Sequence, residues 1–356
     1  MTSKKIVVGM SGGVDSSAAM VLLKKAGWEP IGVSLKLAKW ENECNENAEN
    51  VCCTEESFAI ARGVCEKIGA EYYIYDVAED FESEVMDYVG SELKRGRTPN
   101  PCLMCNRNLK YAKLLQWADE HGVEHVATGH YAKVEKKADE KFGLFRALDE
   151  SKDQTYGLCM LRQEQISRMV LPLAKYTKSQ IYLMIEKEGF GFFSKVKQSQ
   201  DLCFVSSSAY SEFVKSRTGE SAGDIVDSSG KVLGEHKGLW FYTRGQKCGI
   251  AGGTVYYANK FDVENNRLVV TCDKEDLMDR EIVLENVNYL SGQPVVGKIR
   301  VDAKIRHGKV MGKASFEALG KNKARVVFDK PVYAPMVGQF CAFYLGDECL
   351  GGGQIC

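Results

Sequence analysis

The chain has 356 residues, 44% hydrophobic and 27% charged, with a formal net charge of −1. That length exceeds what one core usually serves, so two or three domains are expected. No apolar run reaches membrane-spanning length, and near-neutrality excludes a surface that attracts nucleic acid everywhere. Thirteen cysteines, in a chain whose Met1 leads through Thr2-Ser3-Lys4-Lys5 straight into a strand and leaves no room for an export signal, point to a cytoplasmic location. They also favour reduced thiols, metal ligation or sulfur chemistry over structural disulfides.

Ile6, Val7 and Val8 form a β-branched run suited to a strand buried on both faces. Ser11-Gly12-Gly13-Val14-Asp15-Ser16-Ser17 follows at once, and a helical pattern runs over 16–26. Two glycines let a ligand approach the backbone closely, and the helix N-terminus adds positive potential, so the turn reads as a phosphate cradle. Two serines and an aspartate exceed what a structural turn needs. No Gly-Lys-Ser or Gly-Lys-Thr closes it, so it is not the common P-loop, and no lysine is at hand for a terminal phosphate. Ser-Gly-Gly-x-Asp-Ser instead resembles the pyrophosphatase loop of the ATP pyrophosphatase (N-type, PP-loop) superfamily, whose adenine nucleotide α-hydrolase-like fold holds the pyrophosphate end of ATP while an adenylate is transferred. The resemblance implies that Asp15 helps place Mg²⁺.

Further along, residues 30–37 read as a second strand, 38–53 as a polar loop, 54–69 as a helix and 72–76 as a third strand. A helix is expected over 81–93, a break at Gly96-Arg97-Thr98-Pro99-Asn100-Pro101, a helix over 106–121, and a fourth strand over 125–130 with Gly129 at its end. Strands alternating with helices imply a doubly wound parallel sheet with its ligand at the carboxyl edge. Residues 134–148 suit a hairpin, and 163–169 and 177–188 suit helices. Beyond Phe204 short strands dominate, with turns at 228–231, 264–267 and 345–348, and one polar helical segment at 273–279. Three domains are therefore expected: the α/β domain at 1–204, a small mixed β domain at 205–277, and a β-barrel at 278–356.

Charge is unevenly spread. Residues 41–92 hold fifteen Asp and Glu, 93–113 hold six Lys and Arg with no acid, and 297–330 hold ten Lys and Arg against three acids. This admits a local polyanion site on a neutral protein, or simply solvated faces. Within the first basic stretch, Cys102-Leu103-Met104-Cys105 opens a helix, where dipole and cations favour thiolates, so these cysteines are candidate nucleophiles or metal ligands. Half of a zinc site, or packed thiols, would carry the same pattern.

Taken together, Ser11 to Ser17, Cys52-Cys53-Thr54, Arg97-Thr98-Pro99-Asn100-Pro101, Cys105-Asn106, Ala127-Thr128-Gly129-His130-Tyr131, Lys152-Asp153-Gln154, Asp201-Leu202-Cys203-Phe204, Gly245-Gln246 and Leu350-Gly351-Gly352-Gly353 resemble, in order and nearly end to end, the tRNA-specific 2-thiouridylases. The resemblance implies adenylation of the 2-oxygen of the wobble uridine with ATP and its replacement by sulfur, giving 2-thiouridine, AMP and pyrophosphate. It places Gly9, Met10, Ser11, Gly12, Gly13, Val14, Asp15, Ser16, Leu35 and Gly129 at ATP, and makes Cys105 and Cys203 the reacting pair. Cys203 carries a persulfide from a sulfur relay, and Cys105 frees that sulfur and leaves a disulfide. Asn100, Pro101 and Cys102 would meet the target base, and His130, Lys152, Asp153, Gln154, Arg306, His307 and Gln339 the tRNA. Family members commonly have aspartate, an acid or base, where this chain has Cys102. Cys102, Cys105 and Cys203 could then instead hold a [4Fe-4S] cluster that binds sulfide. A monomer is expected, with no membrane partner. An amidating adenylase of the argininosuccinate or GMP synthetase kind, and a non-catalytic RNA-binding module with a structural metal, are the rival readings.

Overall fold

The computed structural model describes residues 4–45, 54–195, 202–308, 310–320 and 322–356. The first part alternates β1 (Lys4–Gly9), α1 (Val14–Lys25), β2 (Trp28–Lys36), α2 (Glu55–Lys67) and β3 (Tyr72–Asp76). A π-helical stretch, Glu82–Met86, joins α3 (Ala78–Phe81) to α4 (Asp87–Lys94). A second, Cys105–Lys110, joins α5 (Pro101–Met104) to α6 (Tyr111–Glu120). Then come β4 (His125–Ala127), β5 (Lys133–Lys136), β6 (Phe142–Phe145), α7 (Thr155–Leu158), α8 (Gln163–Ile166), β7 (Met169–Val170) and α9 (Lys178–Lys187).

Five of these strands form a sheet in the order β3-β2-β1-β4-β7, every pairing parallel. Alternate residues of β1 serve opposite faces, as the pleat requires. Ile6 and Val8 pack with Ala18 of α1, Val64 of α2 and Ile181 of α9, while Val7 packs with Leu114 and Ala118 of α6. The sheet is thus covered on both sides, which explains a strand without polar alternation.

The rest is mostly β, but opens with α10 (Tyr210–Thr218), whose Phe213 and Val214 are buried with Phe81, Val85 and Phe204. β8 (Gly223–Val226), β9 (Val232–His236), β10 (Lys247–Cys248), β11 (Tyr256–Asp262) and β12 (Arg267–Thr271) make a second sheet, ordered β10-β11-β12-β8-β9. β13 (Met278–Tyr289), β14 (Lys298–Lys304), β15 (Gly312–Ala318), β16 (Lys323–Tyr333), β17 (Phe340–Leu345) and β18 (Glu348–Ile355) follow. The order β13-β16-β15-β14-β17-β18 closes into a barrel through β13–β18 pairing.

Several elements depart from expectation. The 134–148 hairpin forms as β5 and β6, but β6 pairs with Glu348 and Cys349 of β18, so it extends the barrel sheet. The expected 163–169 helix stops at Ile166, and Met169–Val170 is a fifth strand too short to leave a periodic signal. The fourth strand ends at Ala127, which frees residues 128–130 for the site. The polar 273–279 segment holds one 3₁₀ turn, Glu275–Leu277. Among the described residues, no helix is long and apolar enough to cross a membrane.

Candidate active site

After β1, residues 10–13 turn the chain into α1. Gly12 adopts φ +74°, and a Cβ there would stand 2.5 Å from the Ser57 carbonyl oxygen, so only glycine satisfies both the dihedral and the approach. Gly13 caps α1 without any side-chain hydrogen bond, so no side chain competes for the first-turn amides. The serines brace the turn itself. Ser16 Oγ and Ser17 Oγ each donate to the Gly13 carbonyl at 3.0 Å, and the Ser11 amide donates to Ser16 Oγ at 3.2 Å. Their presence therefore does not require a ligand, contrary to the sequence argument. Neighbouring β2 adds a strut, with Ser34 Oγ donating to the Met10 carbonyl at 2.8 Å.

A cavity of about 290 Å³ opens at this carboxyl edge. Gly9, Met10, Ser11, Asp15, Ser16, Leu35 and Gly129 line it, while Gly12, Gly13 and Val14 shape the turn without reaching its wall. Gly129 packs flat on the start of α1, where a Cβ would lie 2.5 Å from the Asp15 carbonyl carbon. Cys105 and Cys203 line the same cavity. Cys105 is buried at the first residue of the second π-helical stretch, a local unwinding common at functional sites. Cys203 is half-buried in a bend closed by a Leu202–Val205 bridge. That bend is anchored by Phe204, whose ring lies 5.6 Å from Phe81 and 5.1 Å from Phe213 between centroids. Ninety-eight residues of sequence hid that convergence.

Cys102 lies exposed in α5 and does not line the cavity. Among the described residues, no group of three His, Cys, Asp or Glu side chains is placed to hold a metal ion. The three thiols thus do not form a ready cluster site. Cys52, Cys53 and Asp201 lie outside the described residues.

Asp15 is the acid on the wall. Lys178 Nζ lies 2.6 Å and 2.7 Å from its two carboxylate oxygens, and Tyr131 Oη donates to it at 2.9 Å. The turn lacks its own lysine, but α9 brings one. His130 also lines the cavity. Its Nδ1 lies 3.0 Å from Tyr111 Oη and 2.8 Å from Thr128 Oγ1. Burial, reinforced by the Lys110 charge, pushes its pKa down to about 3, so the imidazole stays neutral. Gln154 lines the cavity too, its Oε1 accepting from the Tyr131 amide at 2.8 Å.

Other expected contacts lie elsewhere. Asn100 Nδ2 donates to Gln339 Oε1 at 3.2 Å, and Gln339 Nε2 donates to the Pro99 carbonyl at 3.0 Å, so the barrel grips the loop before the cysteines. Pro101 is buried as the first residue of α5. Asp153 is buried and accepts from Thr155 Oγ1 at 2.7 Å, while Lys152 stays half-exposed. Arg306 bonds the Tyr333 carbonyl, and the His307 ring stands 6.5 Å from Tyr156. The basic stretches are partly self-neutralised. Arg95 pairs with Glu92, Arg97 with Glu285, Lys113 with Asp80, Arg300 with Asp329, Lys313 with Asp302 and Arg325 with Glu281.

Sequence reasoning missed Lys178 and the role of Tyr131. Tyr131 adjoins a motif that was legible. Lys178 follows a helix-start signal, Thr177 with Gln180, but nothing local ties it to Asp15.

The family model described as "tRNA methyl transferase HUP domain" matches residues 4–207. Those described as "tRNA methyl transferase PRC-barrel domain" and "Aminomethyltransferase beta-barrel domain" match 211–272 and 279–355. The chain is 40% identical over 359 residues to the tRNA-specific 2-thiouridylase MnmA of Carboxydothermus hydrogenoformans, covering 99% of this chain and 97% of the relative. It is 37% identical to the enzymes of that name from Clostridium botulinum (100% and 98% covered) and Acetivibrio thermocellus (100% of both).

Proposed function

The chain belongs to the tRNA-specific 2-thiouridylase MnmA family, and on that premise we propose that it is an ATP-dependent tRNA sulfurtransferase that converts the wobble uridine to 2-thiouridine. The observation that carries this reading is that Met10, Ser11, Asp15 and Ser16, which flank the glycines of the turn suited to pyrophosphate, and the two thiols Cys105 and Cys203 line one cavity. An amidating adenylase has no use for two sulfur nucleophiles beside its nucleotide.

The uridine 2-oxygen attacks the α-phosphorus of ATP, and pyrophosphate leaves toward the turn and the first amides of α1. Adenylation makes that oxygen a good leaving group. Cys203 carries a persulfide loaded by a donor protein. The Cys105 thiolate attacks the Cys203 sulfur, the terminal sulfur departs as sulfide and adds at C2 of the uridine, and AMP leaves. The Cys105–Cys203 disulfide that remains is reduced by an external thiol. This route needs only the two thiols that share the cavity. The cluster route would add Cys102, exposed in α5 and outside the cavity wall, as a third ligand. Mg²⁺, when bound with ATP, neutralises pyrophosphate charge, and Asp15 is the hard oxygen donor suited to it.

Asn100, held from the barrel by Gln339, and Gln154 and neutral His130 on the wall are the polar groups suited to a base splayed from the anticodon loop. The persulfide assignment is tested by iron and sulfide analysis of anaerobically purified wild type and Cys102→Ser. Iron-free enzyme that is fully active with a persulfide donor supports it. Stoichiometric iron lost in Cys102→Ser together with activity overturns it.

A further inference from the structure

Lys178 stands outside the cavity wall and reaches it through Asp15, a contact that neither the glycine turn nor the cysteine pair explains. It is anchored on several sides. Thr177 and Gln180 form a reciprocal cap, the Thr177 amide donating to Gln180 Oε1 at 2.8 Å and the Gln180 amide to Thr177 Oγ1 at 3.3 Å. The Lys178 amide donates to Asp149 Oδ2 at 2.9 Å. The ammonium stands 5.9 Å and 5.3 Å from the ring centroids of Tyr131 and Tyr182, within cation–π reach. Its side chain is 12% exposed, whereas its partner Asp15 is 35% exposed and faces the cavity.

This arrangement resolves a charge problem in the turn. A P-loop supplies a lysine to its phosphates, but this turn supplies an aspartate, whose charge repels the anion that the amides attract. Lys178 cancels that charge from behind. Asp15 would hold a divalent cation arriving with the nucleotide through the oxygens that Lys178 now contacts at 2.6 Å and 2.7 Å, which would free the ammonium for the phosphates. We propose that Lys178 is the phosphate-binding cation of this site, resting on Asp15 before the nucleotide binds and shifting to the pyrophosphate oxygens when Asp15 takes Mg²⁺.

The proposal rests on the reading of the cavity as an ATP site. The test is calorimetric binding of ATP and of AMP, which lacks the pyrophosphate, to wild type, Lys178→Met and Lys178→Arg, with and without Mg²⁺, after circular dichroism melts establish that each is folded. Lys178→Met is expected to lose ATP affinity about tenfold, as for one charge-assisted contact, with AMP affinity unchanged and the loss greater with Mg²⁺, which frees the ammonium from Asp15, than without it. Lys178→Arg is expected to keep most of the preference for ATP. If wild type prefers ATP and Lys178→Met keeps the same ATP-to-AMP ratio, or loses both nucleotides equally, this proposal alone is overturned. If wild type binds neither nucleotide, the ATP reading falls and takes the proposal with it.

Discussion

At the phosphate turn, one added methyl group on Gly129 would place a Cβ 2.5 Å from the carbonyl carbon of Asp15 and 2.6 Å from the Ser16 amide nitrogen. Backbone cannot yield as a flexible side chain does, so Gly129→Ala is expected to shift the start of α1, at a cost of about 1–3 kcal/mol. Urea unfolding would measure that loss, and ATP binding should fall with it. Wild-type stability would show that the loop relaxes without strain. His130 makes a pH prediction. Its folded pKa, about 3, lies below the usual histidine value, because burial disfavours the charged ring and Lys110 adds to the effect. The unfolded chain therefore takes up the proton first. The group's contribution to stability is present above pH ~6.5 and is lost as pH falls toward 3. Denaturation midpoints at pH 7 and pH 5 should draw together in His130→Gln relative to wild type, and an unchanged gap would refute the assignment. Residues of this kind were half legible. Gly129 and His130 stood in a readable motif, but the neutral state of the ring depends on Tyr111 and Thr128 closing around it, which only the fold reveals.

Among the elements, the segment from α4 through α5 is tied to distant chain at several points. Gln354 of β18 donates to the buried Glu92 at 2.6 Å, Arg97 reaches Glu285 of β13 at 2.6 Å, and the Thr98 amide donates to the Val337 carbonyl at 2.8 Å. A buried carboxylate that loses a hydrogen-bond partner carries the full desolvation penalty. Gln354→Leu should therefore cost about 1.5–3 kcal/mol in urea unfolding and loosen the loop that carries Asn100. No change in the midpoint would show that Arg95 and Arg97 suffice for Glu92. The sequence signalled this element unevenly. Two prolines and Cys-x-x-Cys marked its start, yet the π-helical stretch at Cys105 has no sequence signature, and α10 escaped notice because Phe213 and Val214 alone make too narrow a stripe. β1 and β2, by contrast, were plain from their apolar runs, which a sheet covered on both faces demands, whereas Met169–Val170 was too short to show.

Across the whole molecule, the barrel does more than follow the catalytic unit. It takes in the β5–β6 hairpin through β18 and grips Pro99 and Asn100 through Gln339. If Asn100 meets the base as proposed, nucleotide binding and base capture are separable. Gln339→Ala is expected to leave ATP affinity as it is while kcat/KM for tRNA falls roughly tenfold, and an equal fall in ATP affinity would contradict this division. The meeting of Cys105 with Cys203 belongs to the same scale. Cys105 was a candidate thiol by its Cys-x-x-Cys motif and Cys203 by the family resemblance, but their common cavity comes from the π-helical stretch after α5 and the Cys203 bend converging on the carboxyl edge of the parallel sheet. The most direct measurement incubates unmodified tRNA with the enzyme, ATP, Mg²⁺ and a persulfide donor, and reads the digested nucleosides by mass spectrometry beside AMP and pyrophosphate. The account predicts sulfur in place of one uridine oxygen, with one AMP and one pyrophosphate per thiolated base, and no thiolation from Cys105→Ser or Cys203→Ser. Uridine left unchanged, or gaining a methyl group instead of sulfur, would contradict it.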